Sequence, residues 1–303
     1  MGTAKDVLRP LVKRTVGNAR FIGPLGRLGR RGRLPDWLWR NWPVYGDYEL
    51  ELPDGRSLRI RGAVNDWLEK MHFFMGLQGS EPETFPVFMK LAARSGLVLD
   101  IGANIGIFTL LACLSGPQVR VISFEPSPEV FSRLRGNVEA NGWSDRCELR
   151  NEAASDRQGS AAFDAGRVRN SSRAGISTMR VIPGSPEGEN LIEVRVNTVD
   201  AACAGKGKVG LAKIDVEGHE DAVLRGMAGV LEEHRPDLIV ECLEDGPYRE
   251  VMGILLPLGY RIYHLRRGGL QEVDEVRPDP RRQERNFLFT LDPDLPAYLA
   301  RMR

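Results

Sequence analysis

No run of about 18 consecutive apolar residues, the length that crosses a membrane as a helix, occurs in this chain of 303 residues. A short apolar stretch behind a positive start is also missing, so no secretory leader is expected. MGTAKD places Asp6 where a myristoylation signal wants Ser or Thr. Cysteine is scarce. Cys113, Cys147, Cys203 and Cys242 are scattered and never form C-x-x-C, which argues against a zinc site or a disulfide frame and fits reduced thiols in the cytoplasm. An excess of one charge is absent too, with 42 Lys plus Arg against 41 Asp plus Glu, so no nucleic-acid partner is expected. No segment repeats at a fixed period. What remains is an ordinary globular composition, 42% hydrophobic and 27% charged. At ~150 residues per domain, the length suits one large domain or a core domain with an extension.

The charge is balanced over the whole chain but not locally. Residues 1–40 hold ten basic side chains against Asp6 and Asp36. Val7, Leu8, Leu11, Val12 and Val16 recur among them at roughly helical spacing. A basic amphipathic segment of this kind can lie on an anionic membrane surface or meet an acidic partner. The alternative is a solvated helix followed by a mobile Gly/Arg-rich connector over Gly23–Gly32.

From residue 47 the pattern becomes regular. YELEL and RSLRI, joined by Pro53-Asp54-Gly55, predict a hairpin. Residues 64–95 predict helices, the last closed by Gly96. Strands and helices then alternate: LVLDI, a helix over Asn104–Leu114, VRVISFE, a helix over Pro128–Ala140, and RCELRNEA. After a less regular stretch with MRVI and IEVRV come VGLAKIDV, a helix from His219 to about Glu233, DLIVEC, a helix over 247–256, YRIYHL and NFLFTL. Such alternation predicts a mainly parallel sheet with helices on both faces.

Sheets of this class bind ligands beyond the carboxyl ends of their strands, where the strand order reverses. The polar residues gather at those ends. The first strand ends on Asp100 and the loop Gly102-Ala103-Asn104-Ile105-Gly106, the second on Glu125 and the third near Glu152-Ala153. The fourth ends on Asp215-Val216-Glu217-Gly218-His219 and the fifth on Glu241. Taken singly, each acid could cap a helix or decorate a rim; their convergence on one crevice makes a site. An acid at the tip of the second strand suits two ribose hydroxyls. The loop has no G-x-G-x-x-G, and Asp100 two residues before Gly102 would repel a pyrophosphate. It would suit a cationic amino-acid moiety, and S-adenosylmethionine combines one with a ribose.

VLDIGANIGIFTL, SFEPSP, LRGNVEANG, NTVD and KIDVEGHE, in that order, closely resemble the FkbM family of S-adenosylmethionine-dependent methyltransferases. The resemblance covers about residues 80–290 and includes the acidic stretch around Glu81. It implies a class I methyltransferase fold: a Rossmann-like, seven-stranded, mainly parallel sheet whose last strand is antiparallel, here preceded by a helical and hairpin extension. It also implies O-methylation of hydroxyls on sugars, glycans or secondary metabolites. The expected division is a basic extension over 1–45, a hairpin and helical cover over 46–80, and the methyltransferase domain over 81–292. The expected cofactor-binding residues are Glu81, Asp100, Gly102, Asn104, Gly106, Glu125, Ala153 and Asp215.

Methyl transfer to a hydroxyl needs alignment and a proton sink. The expected catalytic residues are His219, Asp215 and Glu241, with His219 kept neutral by the positive end of its helix. An acid cluster can also take Mg²⁺, but its spacing here matches no metal motif and none is assigned. His72, His234 and His264 stand outside any motif and read as structural. The insert over 155–196, with Asn170-Ser171-Ser172, Gly166, Gly175 and Gly184, is the expected determinant of acceptor choice. Two other functions remain open at this point: a nucleotide- or dinucleotide-binding oxidoreductase of Rossmann type, and a non-catalytic module that interacts through its basic tail.

Overall fold

The computed structural model describes residues 18–32, 34–64, 67–164, 191–280 and 284–301. The expected helix over Val7–Val16, the strand MRVI and the polar centre of the insert, from Gly166 to Gly184, lie outside the described residues. Two compact units are present, one reaching to Pro82 and one beginning at Glu83.

The first unit contains α1 (Ala19–Arg30), α2 (Asp36–Asn41), β1 (Tyr45–Glu51), β2 (Ser57–Val64) and α3 (Trp67–Met75). The hairpin forms as its sequence predicts: β1 and β2 pair antiparallel, and Gly55 supplies the left-handed turn residue at φ +85°. Leu50, Leu58 and Ile60 bury one face completely. The connector expected over Gly23–Gly32 is overturned, because most of it is the helix α1, started by Asn18, whose side chain accepts from the Arg20 amide. Its glycines are there for packing. A Cβ at Gly29 would stand 2.4 Å from the Phe74 carbonyl oxygen, and one at Gly26 would stand 2.9 Å from the Phe73 ring. Glycine thus lets α1 approach α3 backbone to backbone. Arg30 closes the contact through the Phe73 carbonyl (2.8 Å) and Glu51 (3.2 Å), so it is a structural cation and not a free one.

The second unit runs through α4 (Thr84–Ala93), β3 (Leu97–Ile101), α5 (Ile107–Ser115), β4 (Arg120–Phe124), α6 (Pro128–Ala140) and β5 (Cys147–Arg150). A small sheet follows from β6 (Ala153–Ala154), β7 (Gly159–Asp164) and β8 (Leu191–Asn197). Then come α7 (Val199–Cys203), β9 (Val209–Ile214), α8 (Glu220–Arg225), α9 (Ala228–Glu233), β10 (Asp237–Glu241) and α10 (Tyr248–Leu255). The unit ends with β11 (Arg261–Arg266), β12 (Gly269–Val273), β13 (Asn286–Thr290) and α11 (Leu295–Arg301). The main sheet has the order β12-β11-β13-β10-β9-β3-β4-β5. Seven of these strands are the expected set, with β13 antiparallel to β10 and β11; β12 adds an eighth at the edge. Every residue of β3, β10 and β13 is buried, as in a sheet covered on both faces.

Register is what makes a site of this sheet. Ile101 lies opposite both Phe124 and Ile214, and Ile214 lies opposite Val240. The next residues therefore stand at the same height: Gly102, Glu125 and Asp215 just beyond their strands, and Glu241 as the last residue of β10, still paired with Asn286 of β13. One row lower, Asp100 lies between Ser123 and Lys213. The strand order reverses between β3 and β9, in the middle of this row.

Two elements are broken where the sequence predicted continuity. RCELRNEA divides at Asn151, whose side-chain amide donates to the carbonyls of Glu125 and Pro126 (2.8 and 3.0 Å), and Ala153 passes to the small sheet. The helix from His219 divides into α8 and α9 at Gly226, where a Cβ would lie 1.9 Å from the Ser155 carbonyl oxygen. Asp200 then caps α9 by accepting from the amides of Gly229 and Val230, both at 2.9 Å. The four cysteines are free, although the sulfurs of Cys113 and Cys147 meet at 3.3 Å.

Two glycine replacements separate packing from propensity. Gly136, inside α6, has no atom within 4 Å of a built Cβ, so Gly136→Ala is expected to stabilise by ~0.5–1 kcal/mol. Gly29→Ala carries the same propensity gain but meets the Phe74 backbone, and is expected to destabilise by ~1–3 kcal/mol. Thermal unfolding of the two variants checks both signs, and a higher Tm for Gly29→Ala would refute the close packing.

Candidate active site

The loop after β3 is held from three sides. The amides of Gly102 and Ala103 both donate to the Phe124 carbonyl (3.0 and 2.9 Å), which folds the loop across the end of β4. Asn104, left-handed at φ +52°, donates its amide to Glu125 Oε2 (3.0 Å) and accepts the Ile105 amide on its own Oδ1 (2.8 Å). Asn137 of α6 anchors the loop by donating to the Ile105 carbonyl (2.8 Å). The helix expected from Asn104 begins only at Ile107, because this loop takes up the intervening residues. Gly102 has φ +84°, and a Cβ there would lie 1.9 Å from the Asp215 carbonyl oxygen. Gly106, at φ +89°, leaves room for Leu134, whose methyl would be 2.4 Å from a Cβ. Both glycines are required by space as well as by backbone angle.

Glu125 is nearly buried. Oε2 accepts from Asn104 and Oε1 accepts the Ser127 amide (2.8 Å). Each oxygen keeps a second lone pair. Burial pushes its carboxyl up to about 7, against the pull of these two amides. Asp100, one row lower, is buried and accepts from Thr109 Oγ1 (2.6 Å), which also bonds Ser123 Oγ (2.7 Å). Burial raises Asp100 to about 6, while Thr109 and Lys213 hold it down.

Across the switch point lies an acid pair with cations at both ends. Lys213, fully buried, donates to Asp215 Oδ2 at 3.1 Å, and Arg285 reaches Glu241 Oε1 at 2.9 Å. Burial would raise Asp215, yet Lys213 and Arg285 outweigh it and hold this carboxyl below its ordinary range. Glu241 goes the other way, driven well up by burial and by the Asp215 charge. Two carboxyls that share a site part in this manner, one keeping the proton and the other the charge. Glu217, left-handed at φ +53°, brings a third carboxylate; one oxygen from each of Asp215, Glu217 and Glu241 lies within 4.8 Å of the others. Such a set can face a divalent ion, but Lys213 and Arg285 already supply positive charge here, and no metal is assigned.

His219 stands on the residue before α8, with Nε2 at 2.9 Å from Ser155 Oγ. Burial lowers its pKa, partly offset by Asp221 and Asp156. Desolvation thus acts in the direction expected of the helix end, favouring the neutral ring. Glu220 beside it folds the preceding turn by accepting from the amides of Gly218 and Val216 (2.9 and 3.3 Å). Ala153 opens β6, and its side chain packs with Phe163 and Val196 in the core of the small sheet. Glu81 is buried in the first unit. Sequence reasoning missed Lys213, Arg285 and Ser155. A lysine inside the apolar run VGLAKI was a usable signal; Arg285 and Ser155 carried none.

A family description, the methyltransferase FkbM domain, matches residues 100–262. The chain belongs to the FkbM methyltransferase family. It is 30% identical over 190 residues to the 31-O-demethyl-FK506 methyltransferase FkbM of Streptomyces tacrolimicus, covering 55% of this chain and 73% of that one. It is 29% identical over 163 residues to the hexuronic acid methyltransferase AglP of Haloferax volcanii, covering 50% and 58%. The crystal structure of a methyltransferase FkbM from Methylobacillus flagellatus KT aligns at 17% identity over 64% of this chain and 43% of that one, with a TM-score of 0.43. That likeness is too slight to carry an argument. The strand order and the antiparallel β13 give the class I fold by themselves, and membership makes the protein a methyltransferase with S-adenosylmethionine as co-substrate. The oxidoreductase and interaction-module alternatives fall with it.

The Glu125 carboxyl gives a pH signature. Raised from 4.5 to about 7, it holds a proton in the native state that the unfolded chain has already lost between those values. Native protein binds more protons across that window, so stability falls as pH rises through it. Glu125→Gln removes this titration, and from pH 4.5 to 7.5 its loss of stability is expected to be smaller by about 3 kcal/mol. Denaturant unfolding of the ligand-free protein at several pH values measures the difference; parallel curves would contradict the buried carboxyl.

Proposed function

We propose that this protein transfers a methyl group from S-adenosylmethionine to a hydroxyl of a sugar, a glycan or a secondary metabolite. The observation that carries the reading is the single row that Gly102, Glu125, Asp215 and Glu241 form at the ends of four neighbouring parallel strands. A row of acids above a turn poor in side chains fits a ligand with an ammonium, a sulfonium and a ribose. The relatives' names agree in kind, one printing an O-demethyl compound and the other a hexuronic acid.

In this reading the free lone pairs of Glu125 take the ribose hydroxyls, while Asp100 and Asp215 oppose the positive charge of the donor. Gly102, Asn104, Gly106 and Ala153 form the wall that the methionine part lies along. The donor supplies an electrophilic methyl; the chain supplies alignment and a place for the hydroxyl proton. His219, neutral and half-buried, accepts that proton, and Asp215 positions the hydroxyl or the donor's amine. The Asp215–Glu241 pair is the second candidate sink, favoured by its place in the row. The basic residues of 1–40 are assigned to an anionic membrane surface or an acidic partner, Arg30 excepted. No described helix is long and apolar enough to cross a membrane.

Mass spectrometry after incubation with isotope-labelled S-adenosylmethionine and a panel of hydroxylated glycans and metabolites tests the function. A labelled methyl on an acceptor oxygen is expected, and label confined to nitrogen or carbon would overturn O-methylation. Glu125→Ala is expected to weaken donor binding by about tenfold or more, at ~1.5–3 kcal/mol for a hydrogen bond to a charged group. Calorimetry reads it directly, and unchanged affinity removes Glu125 from the donor site. For the base, His219→Ala is expected to cut kcat by ~10²–10⁴ with donor affinity kept. Asp215→Ala is expected to reduce both. Wild-type single-turnover rates in His219→Ala across pH 6–8 would shift the role to Asp215 and Glu241.

A further inference from the structure

One charged group in the second unit is assigned nothing by the family's chemistry or by the reading above. Lys213 is fully buried in the middle of the sheet, inside an otherwise apolar strand. Its ammonium is 3.1 Å from Asp215 Oδ2 and 5.1 Å from the centroid of the Phe108 ring. That ring is itself fixed, packed against Phe85 at 5.0 Å and Phe88 at 4.9 Å. On the neighbouring strand Lys213 lies opposite Asp100, which is occupied by Thr109. The ammonium is thus walled by an aromatic face and by acids, on a side chain that is 0% exposed.

We propose that Lys213, backed by Phe108, is a positioning residue for methyl transfer: it fixes the Asp215 carboxylate as the anion presented at the strand end, and leaves the proton shared by the acid pair on Glu241. The proposal deepens the reading above and rests on it.

The asymmetry between the two acids supports it. Asp215 has the ammonium at hydrogen-bond distance and a side chain 24% exposed, whereas the Glu241 side chain is 1% exposed. A charge is cheaper on the carboxyl that keeps both a cation and some water. The remaining charged groups around the pair come from every adjoining element: Asp100 from β3, Glu217 from the turn after β9, Glu220 from α8 and Arg285 from the residue before β13. Of these only Arg285 is a cation, and its 2.9 Å contact is to Glu241. Lys213 is in direct contact with Asp215. A neutral residue in its place would leave Asp215 facing Asp100, Glu217 and Glu220 without its contact cation, and the proton would move toward Asp215.

The test is the titration of Asp215 itself, followed by carboxyl ¹³C NMR on the full-length chain and assigned with Asp215→Asn. In Lys213→Met the midpoint is expected to rise by ~1 pH unit or more, the effect of losing a cation at contact. In Lys213→Arg, which keeps a cation, it is expected to stay close to wild type. A purely structural lysine would alter stability and leave the midpoint alone, so a folded Lys213→Met with an unshifted Asp215 overturns the proposal. Should Lys213→Met not fold, Phe108→Leu decides: losing the aromatic wall is expected to raise the midpoint in the same direction, and an unchanged value is contrary. The titration is read without donor or acceptor. Failure to find any methylated acceptor would count against the proposed function, and an unmoved Asp215 against this assignment.

Discussion

A dehydrated ammonium at the centre of the sheet's polar edge constrains everything around it. Burying such an ion costs several kcal/mol, and only close opposite charge and further contacts offset that cost. Lys213 obtains them from Asp215 and from the Phe108 face. The converse holds equally. Asp100, Asp215 and Glu241, each brought close to the others by register, would not coexist there without Lys213 and Arg285. Across the middle of the sheet the groups run Arg285, Glu241, Asp215, Lys213, Asp100 and Ser123, in the same order as β13, β10, β9, β3 and β4, with Thr109 of α5 bridging Asp100 and Ser123. Sheet topology has written a polar chain through an apolar interior.

Glu125 has a second duty beside the ligand role given to it. By accepting one amide from the loop after β3 and one from the start of α6, its carboxylate braces the loop against its own strand end. The loop in turn passes over the Asp215 carbonyl so closely that only glycine fits at Gly102. The donor side and the acid pair are therefore one rigid assembly, which is the condition for an in-line displacement to gain from alignment.

Much of this was legible in the sequence, and the failures have physical causes. Buried parallel strands such as LVLDI and DLIVE are short apolar runs, and they announce themselves. Glycines at Gly102 and Gly106 mark a backbone that must turn left-handed and lie close to a neighbour. The breaks at Asn151 and Gly226 were invisible because each depends on a partner distant in sequence: carbonyls at Glu125 and Pro126 for one, the Ser155 backbone for the other. The helix α1 was hidden for the opposite reason, since its glycines look like a linker until Phe73 and Phe74 are placed against them. Arg285 could not be found at all, because nothing in one chain's sequence says which acid, 44 residues back, a rim arginine will meet.

The alignment of Ile101, Phe124, Ile214 and Val240 in one row also determines where this protein can change length. Side chains alternate between faces along a strand, so a residue inserted within β3, β4, β9 or β10 turns every later side chain to the opposite face and raises one polar tip out of line with the rest. The same insertion before the strand is absorbed by the turn at the opposite edge, and the tips remain level. Drift in length should therefore accumulate at the amino edge of the sheet, in turns such as Gly116–Val119 and Gly205–Lys208, while the interval from each strand's first buried residue to its polar tip stays fixed.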